Sequence, residues 1–320
     1  MSRSYSVWLV SLGFALHLLL HPLSLSAAGV GVLRVAPDVY VIPGEVGEAT
    51  AENRGRVVNT GFIVGIDGVV VIDSGASHAQ GEAILAEIAG VTDRPVRLLI
   101  NTHPHPQNVL GNSAFAARGI PILASVQTRA LMDERCPRCF DSMSKSIGVA
   151  NMAGTRIVLP GVLVSGSETR RIAGRELRLL HLSHAHSEGD LAVLDVATGT
   201  LFAGDVVYHG QLPHLGEADV GGWIAALAHL QRETFSVLVP GRGAPGGHAE
   251  LAAFAEYLQE VRDRVGDAYA AGRTPDETLE LVRQPAFAGW EGHATRQGRN
   301  VQHIYFEFER ADLAGGERRR

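Results

Sequence analysis

The chain has 320 residues, 46 % of them hydrophobic and 19 % charged, enough apolar material for one large domain or two modest ones and too much for a disordered chain. Its formal charge is −6, and no basic stripe interrupts the body, which argues against a nucleic-acid partner. The terminal "ERRR" is a short cluster on a loose end and carries little weight.

Residues 1–28 read as a secretory signal peptide. One basic residue, Arg3, precedes an apolar stretch over 7–20, and small residues follow at Ser26, Ala27 and Ala28. The apolar run is short for a membrane anchor and is interrupted by His17, His21 and Pro22, whereas a spanning helix wants roughly 20 apolar residues. Cleavage after Ala28 is expected, giving a periplasmic protein with no stable membrane span.

From about residue 33, strand-like and helix-like segments alternate. "DVYVI", "TGFIVGI", "GVVVIDSG" and "VRLLINTH" are short β-branched runs punctuated by Gly, Pro and Asp. "SHAQGEAILAEIAGV" predicts a helix, with Ala83, Leu85, Ile88 and Ala89 at helical spacing. "GIPILAS" predicts a strand and "VQTRALMDER" a helix, followed by a polar stretch to about residue 155. Then "LVSGSETRRIAGRELRLLHLS" and "GDLAVLDVATGTLFAGDVV" predict two hairpins, "ADVGGWIAALAHLQRE" a helix from Asp219, and "FSVLVPGRG" a closing strand. The two halves echo each other, each a strand, tight turn and strand leading to an aspartate, Asp73 and Asp205. The expected fold is α/β, an αββα sandwich of two sheets with helices outside.

Beyond residue 247 helices dominate. Leu251, Phe254, Leu258, Val261, Val265 and Ala268 line one face of a long helix. "TPDETLELV" predicts a second, with Thr274 as N-cap and Pro275 at the first helical position. Residues 33–250 are expected as the main domain, and 251–320 as a C-terminal helical extension on the same domain. His293 and Trp290 in "WEGHATRQGRN" are expected on a surface loop.

The only cysteines, Cys136 and Cys139, form a C-x-x-C pair. A local disulfide, a redox-active dithiol and two metal ligands are the alternatives. A thioredoxin-type dithiol opens a helix after a strand, whereas "TRALMDE" before this pair already reads as helix. A structural disulfide or loop staple is the preferred expectation.

The chemistry concentrates in "NTHPHPQNVLGN". His103 and His105 stand two positions apart after an apolar run, each followed by a proline that holds the chain extended, so both imidazoles face one side. "HLSHAHSEGDLAVL" adds His181, His184 and His186 ahead of a strand, and "FAGD" places Asp205 at a strand end. Three histidines and one open position suit a catalytic zinc ion. His184 is the rival of His186, and the "HSEGD" spacing favours the latter.

These motifs, in this order, resemble the metallo-β-lactamase superfamily across roughly residues 33–250. Its pattern is a strand ending in Asp, then T-H-x-H-x-D-H, G/A-H-T/S-x-G-D, G-D at a strand end, and P-G-H-G. The chain supplies "VIDSG" with Asp73, "NTHPHPQN", "AHSEGD" with His186, "FAGD" with Asp205, and "VPGRG". Within the superfamily, "VYVIPG", "GFIVGIDGVVVIDSG", "VLGNSAF", "GIPILA" and "NVQHIYFEFE" resemble the exported quinoprotein relay system zinc metallohydrolases. That likeness implies a periplasmic quinoprotein dehydrogenase system as partner.

The resemblance implies His103, His105 and His186 as ligands of a first metal. A second would need Asp at 107, His at 108, bridging Asp205 and His at 242, where the chain has Gln107, Asn108 and Arg242. Neutral amides are poor zinc ligands and a guanidinium is none. Two unit charges about 4 Å apart interact by about 4 kcal/mol at an effective dielectric of 20, and a divalent ion facing Arg242 feels more. One Zn2+ ion is expected. Asp205 is assigned to orient water, act as base or join the ligands; Arg242 to pair with Asp205 or receive a substrate anion; Gln107 and Asn108 to donate to a developing oxyanion; and Asp73 to orient a ligand histidine or loop. The expected activity is hydrolysis of an ester, thioester, lactone or lactam-type bond in a small molecule. The alternative is a non-catalytic periplasmic accessory or cofactor-binding protein on the same fold.

Overall fold

The runs "TGFIVG" and "GVVVI" are buried along their whole length, and alternate residues of each feed two different cores. Ile63, Val70 and Ile72 point one way and Phe62, Val64, Val69 and Val71 the other. A sheet covered on both faces reads as continuous apolar sequence. These runs are β3 (Thr60–Gly65) and β4 (Gly68–Ile72) of a computed structural model that describes residues 31–317. The expected signal peptide, residues 1–28, lies outside the described residues. Among these, no helix is long and apolar enough to cross a membrane.

The first sheet has seven strands in sequence order. β1 (Leu33–Ala36), β2 (Val39–Ile42), β3 and β4 form an antiparallel meander, and β5 (Val96–Ile100), β6 (Ile122–Ser125) and β7 (Val162–Val164) continue it in parallel. The second has β12 (Val237–Arg242), β11 (Thr200–Tyr208), β10 (Leu191–Asp195), β9 (Arg175–His181) and β8 (Glu168–Ile172) in that spatial order, with only the β11–β12 pair parallel. Between the sheets lies a core that joins Val39, Val41, Ile63 and Ile100 to Leu177, Leu179, Val193 and Phe202.

Helices cover both outer faces, completing the αββα sandwich. α1 (His78–Val91) and α3 (Asn112–Ala116) pack Ile84, Ile88, Ala114 and Phe115 onto the first sheet. α5 (Val220–Gln231), α6 (His248–Ala270) and α8 (His293–Glu317) lay Trp223, Leu227, Phe254, Leu258 and Ile304 on the second. Residues 31–317 belong to one compact unit. α5 is capped by Asp219, and α7 (Pro275–Leu281) by Thr274 in a reciprocal box with Glu277.

Four local expectations are corrected. α1 turns Gln80, Gly81, Ile84 and Ile88 inward, not Ala83 and Ala89, because Gly81 lets it approach α3 closely; a Cβ there would stand 2.6 Å from the Gly111 carbonyl oxygen. α4 (Val126–Ile147) does not stop near Arg135 but runs through Pro137. The prolines after the histidines do not hold one extended run, since Pro106 opens the short helix α2 (Pro106–Val109) with His105 as N-cap. His293 and Trp290 form no surface loop: His293 begins α8, and Trp290 packs against the helical core.

Candidate metal centre

The C-terminal ends of parallel strands gather loops at one edge of an open sheet. β4 ends into Asp73 and β5 into Asn101-Thr102-His103. On the facing sheet the loop ahead of β10 carries His186, and the β11–β12 pair carries Asp205 and Arg242. One nitrogen from each of His103, His105 and His186 and one Asp205 oxygen lie within 4.8 Å of one another. His184, the rival, sits outside the group with Nε2 2.9 Å from the Glu217 carbonyl oxygen.

Each ligand atom has a definable cause. Thr102 donates its backbone N–H (2.8 Å) and its hydroxyl (2.7 Å) to the Asp73 carboxylate. With the hydroxyl proton so committed, His103 Nδ1, 2.9 Å from Thr102 Oγ1, must donate, which leaves Nε2 as the lone-pair atom. That Nε2 is buried without a partner. His105 Nδ1 and His186 Nε2 are 2.9 Å apart, and His103 Nε2 and His186 Nε2 are each 3.9 Å from Asp205 Oδ2. Two nitrogens on one tetrahedral zinc stand about 3.3 Å apart given bonds of about 2.0 Å, and the observed separations bracket that value. Burial pushes His103 down to about 3 and holds His186 well below its ordinary value, so both imidazoles are neutral, as a ligand must be.

Asp205 lies within β11, not at its end, where the register with β12 shifts at Gly204. Gly204 has φ +55°, and Gly241 passes so close that a Cβ would meet the Asp205 side chain. Asp205 Oδ2 accepts from Tyr208 Oη at 3.0 Å and Arg242 Nε at 3.2 Å, while Oδ1 is buried and unpaired. Burial alone would raise this carboxyl, but the Arg242 guanidinium beside it outweighs that and holds it well below the usual carboxylate range. The Arg242 guanidinium is 5 % exposed and lies 5.6 Å over the Tyr208 ring. Asn59 fixes the Arg242 turn by donating Nδ2 to the Pro240 and Gly243 carbonyls at 2.8 and 2.7 Å.

The other predicted residues separate. Asn108 does not face outward as an oxyanion donor: its Nδ2 donates to Asp73 Oδ2 at 2.9 Å. Gln107 is half-buried on α2 and makes no side-chain hydrogen bond among the described residues. Asp73 sits at φ +61°, and burial raises its carboxyl to about 7 against the hydrogen bonds it accepts. Cys136 and Cys139 form no disulfide; both are free thiols on α4, which keeps them at helical spacing. Their mutual hydrogen bond draws Cys139 down to about 7 and raises Cys136.

Three neighbours have no sequence signature. Glu217 places Oε2 3.6 Å from His105 Nε2, is held below its ordinary value first by that histidine, and pairs with Arg135 at 2.6 Å. Trp223, anchored by Nε1 to the Val206 carbonyl at 2.8 Å, sets its ring 5.0 Å from His186. Tyr208 supplies the second donor to Asp205. Tyr208 ends β11, Trp223 lies in α5 and Glu217 stands just before that helix; none belongs to a spacing pattern, and only the folded chain brings them to the site.

A family model described as the metallo-beta-lactamase superfamily matches residues 53–242. The chain is similar to a linear primary-alkylsulfatase from Pseudomonas sp. (strain ATCC 19151), 24 % identical over 279 residues, covering 74 % of this chain. The chain spans about half, 52 %, of that relative's length. Among solved structures, a metallo-beta-lactamase from Pontibacter korlensis superposes with a TM-score of 0.59 at 23 % identity, covering 71 % of this chain and 98 % of its own. A stereoselective inverting sec-alkylsulfatase from Pseudomonas sp. superposes with a TM-score of 0.70 at 16 % identity, covering 87 % of this chain and 50 % of its own. At such identities the likeness concerns the fold.

Proposed function

The chain belongs to the metallo-beta-lactamase superfamily, and from that premise we propose that it is an exported hydrolase using a single zinc ion held by His103, His105 and His186, with Asp205 beside it and one position open for water. One observation carries the reading. The four ligand atoms converge, while Arg242 stands against Asp205 where the family pattern puts a ligand of a second ion. A zinc ion there supplies Lewis acidity and makes water a nucleophile near neutral pH.

The protein's own groups do the rest. Asp73 and Thr102 fix the His103 tautomer, and Glu217 and Arg135 brace the outer nitrogen of His105. Asp205, kept ionised by Arg242, faces the histidines with Oδ2 and is placed there to accept a hydrogen bond from the attacking water and orient it. So acidic a carboxyl stores no proton, which makes Asp205 an orienting group and not a general base. Arg242 offers its remaining N–H groups to an anionic part of the substrate. Substrates are esters, thioesters, lactones or lactam-type compounds. Among them, sulfate esters, suggested by the names of the two Pseudomonas relatives, suit a site with a fixed guanidinium. Export to the periplasm rests on residues 1–28, and service to a quinoprotein dehydrogenase system rests on the motifs cited above.

The test is metal analysis of the purified full chain alongside assays with chromogenic carboxylic and sulfate esters. One zinc per chain, with hydrolysis lost on chelation and restored by one equivalent, is expected. Hydrolysis that survives complete metal removal overturns the hydrolase mechanism, and two zinc ions per chain overturn the single-ion site.

A further inference from the structure

Cys136 and Cys139 have no part in this chemistry, yet they lie on its wall. α4 sets them three residues apart, about one helical turn, so that both side chains lie toward one side of the helix. Cys136 is fully buried against Val109 and Met132, while Cys139 is half-buried and reaches solvent. Val109 ends the short helix that begins after the ligand His105, and Arg135, beside the pair on α4, holds Glu217 against His105.

We propose that Cys136 and Cys139 form a redox-active dithiol, with Cys139 as attacking and Cys136 as resolving sulfur, that exchanges with small thiol disulfides of the glutathione type. The Cys139 thiolate attacks one sulfur of the small disulfide, whose S–S bond breaks. The unattacked sulfur leaves first, as a thiolate, and takes the Cys136 proton. The Cys136 thiolate then attacks the Cys139 sulfur, forming the intrahelical bond and releasing the second sulfur as a thiolate that is protonated in solvent. The protein dithiol is oxidised by two electrons and the small disulfide is reduced to two thiols.

Helical geometry makes the exchange reversible. Residues three apart on a helix hold their Cβ atoms about 5–6 Å apart, whereas a disulfide wants about 3.5–4.5 Å. Closure must draw in one turn of α4. Pro137 lies inside that turn and brings no N–H, so a rung of the helix is already missing there. A bond closed against the helix reopens readily, unlike a permanent staple.

The experiment uses the folded full-length protein and glutathione disulfide, with thiols counted by maleimide mass tagging. The expected result is loss of both taggable thiols together, reversed by dithiothreitol. Cys136→Ser is expected to keep one stable glutathione adduct on Cys139, and Cys139→Ser to leave Cys136 unmodified. If Cys136→Ser does not fold, acid trapping of the wild-type reaction must show the first adduct on Cys139. Thiols that resist glutathione disulfide in the folded protein but oxidise on unfolding overturn the proposal, as does glutathione retained on both cysteines. The thiol count reads neither zinc nor hydrolysis, so its outcome is separate from that of the hydrolase reading.

Discussion

Thr102 is tied to both sheets. Its N–H and hydroxyl go to Asp73, its oxygen receives His103 Nδ1, and its carbonyl accepts from Leu191 N at 2.8 Å across the sandwich. Thr102→Val keeps the shape and removes one oxygen, which frees the His103 ring to choose its tautomer. Zinc affinity is expected to fall about 10–100-fold, read by competition with a chromophoric chelator, with a stability loss of about 1–3 kcal/mol for the buried groups left unpaired. An unchanged affinity would show that packing alone orients His103. The four residues that converge were legible because metal chemistry demands particular residue types at particular spacings. Glu217 and Tyr208 were not, because a group that acts on a ligand only needs to arrive within reach from any direction.

At the level of elements, β-branched runs and capping residues located the strands from β2 onward and the helices α1, α5, α6 and α7, since those signals act within a few residues. The short α2 and α3 were not read, and the second half of α4 and the whole of α8 were hidden for opposite reasons. Pro137 breaks the local rule inside a helix that packing maintains, and "HATRQGRN" offers no large apolar side chain before Val301. The first turns of α8 are tied down by polar contacts instead, ahead of the apolar face that begins at Val301. Buried Arg296 donates to the Leu212 carbonyl at 2.8 Å and to Glu48, in the segment after β2, at 2.6 Å. His214, then Arg296, hold the Glu48 carboxyl down to about 2 from 4.5. A lowered carboxyl contributes stability that is fully present above pH 4.5 and is lost as the pH falls toward 2. Because the Glu48 side chain is 63 % exposed, screening limits the contribution to about 1 kcal/mol or less. Glu48→Gln is expected to unfold at lower urea near neutral pH, with the difference from wild type shrinking as the pH drops through that window. A difference independent of pH would assign the effect to packing.

Across the whole molecule, the candidate metal centre draws on two layers that otherwise meet through an apolar core. His103 and His105 travel with the first sheet, and His186 and Asp205 with the second. An ion held by groups from both sheets would stabilise only the assembled sandwich. At a free zinc concentration about 100 times its dissociation constant, the gain is about 2.7 kcal/mol. Thermal unfolding of chelated and reloaded protein reads this directly, and the His186→Ala variant is expected to show no rise. A rise that persists in that variant would place the stabilising ion elsewhere.

Arg242 gives the centre a counter-ion on a tether. Where the family pattern provides for an exchangeable divalent cation, this chain keeps a covalently attached monovalent one paired with Asp205. If the proposed single-ion reading holds, occupancy follows one hyperbola in free zinc, with no sigmoid and no half-loaded intermediate, and a sigmoid binding curve overturns it.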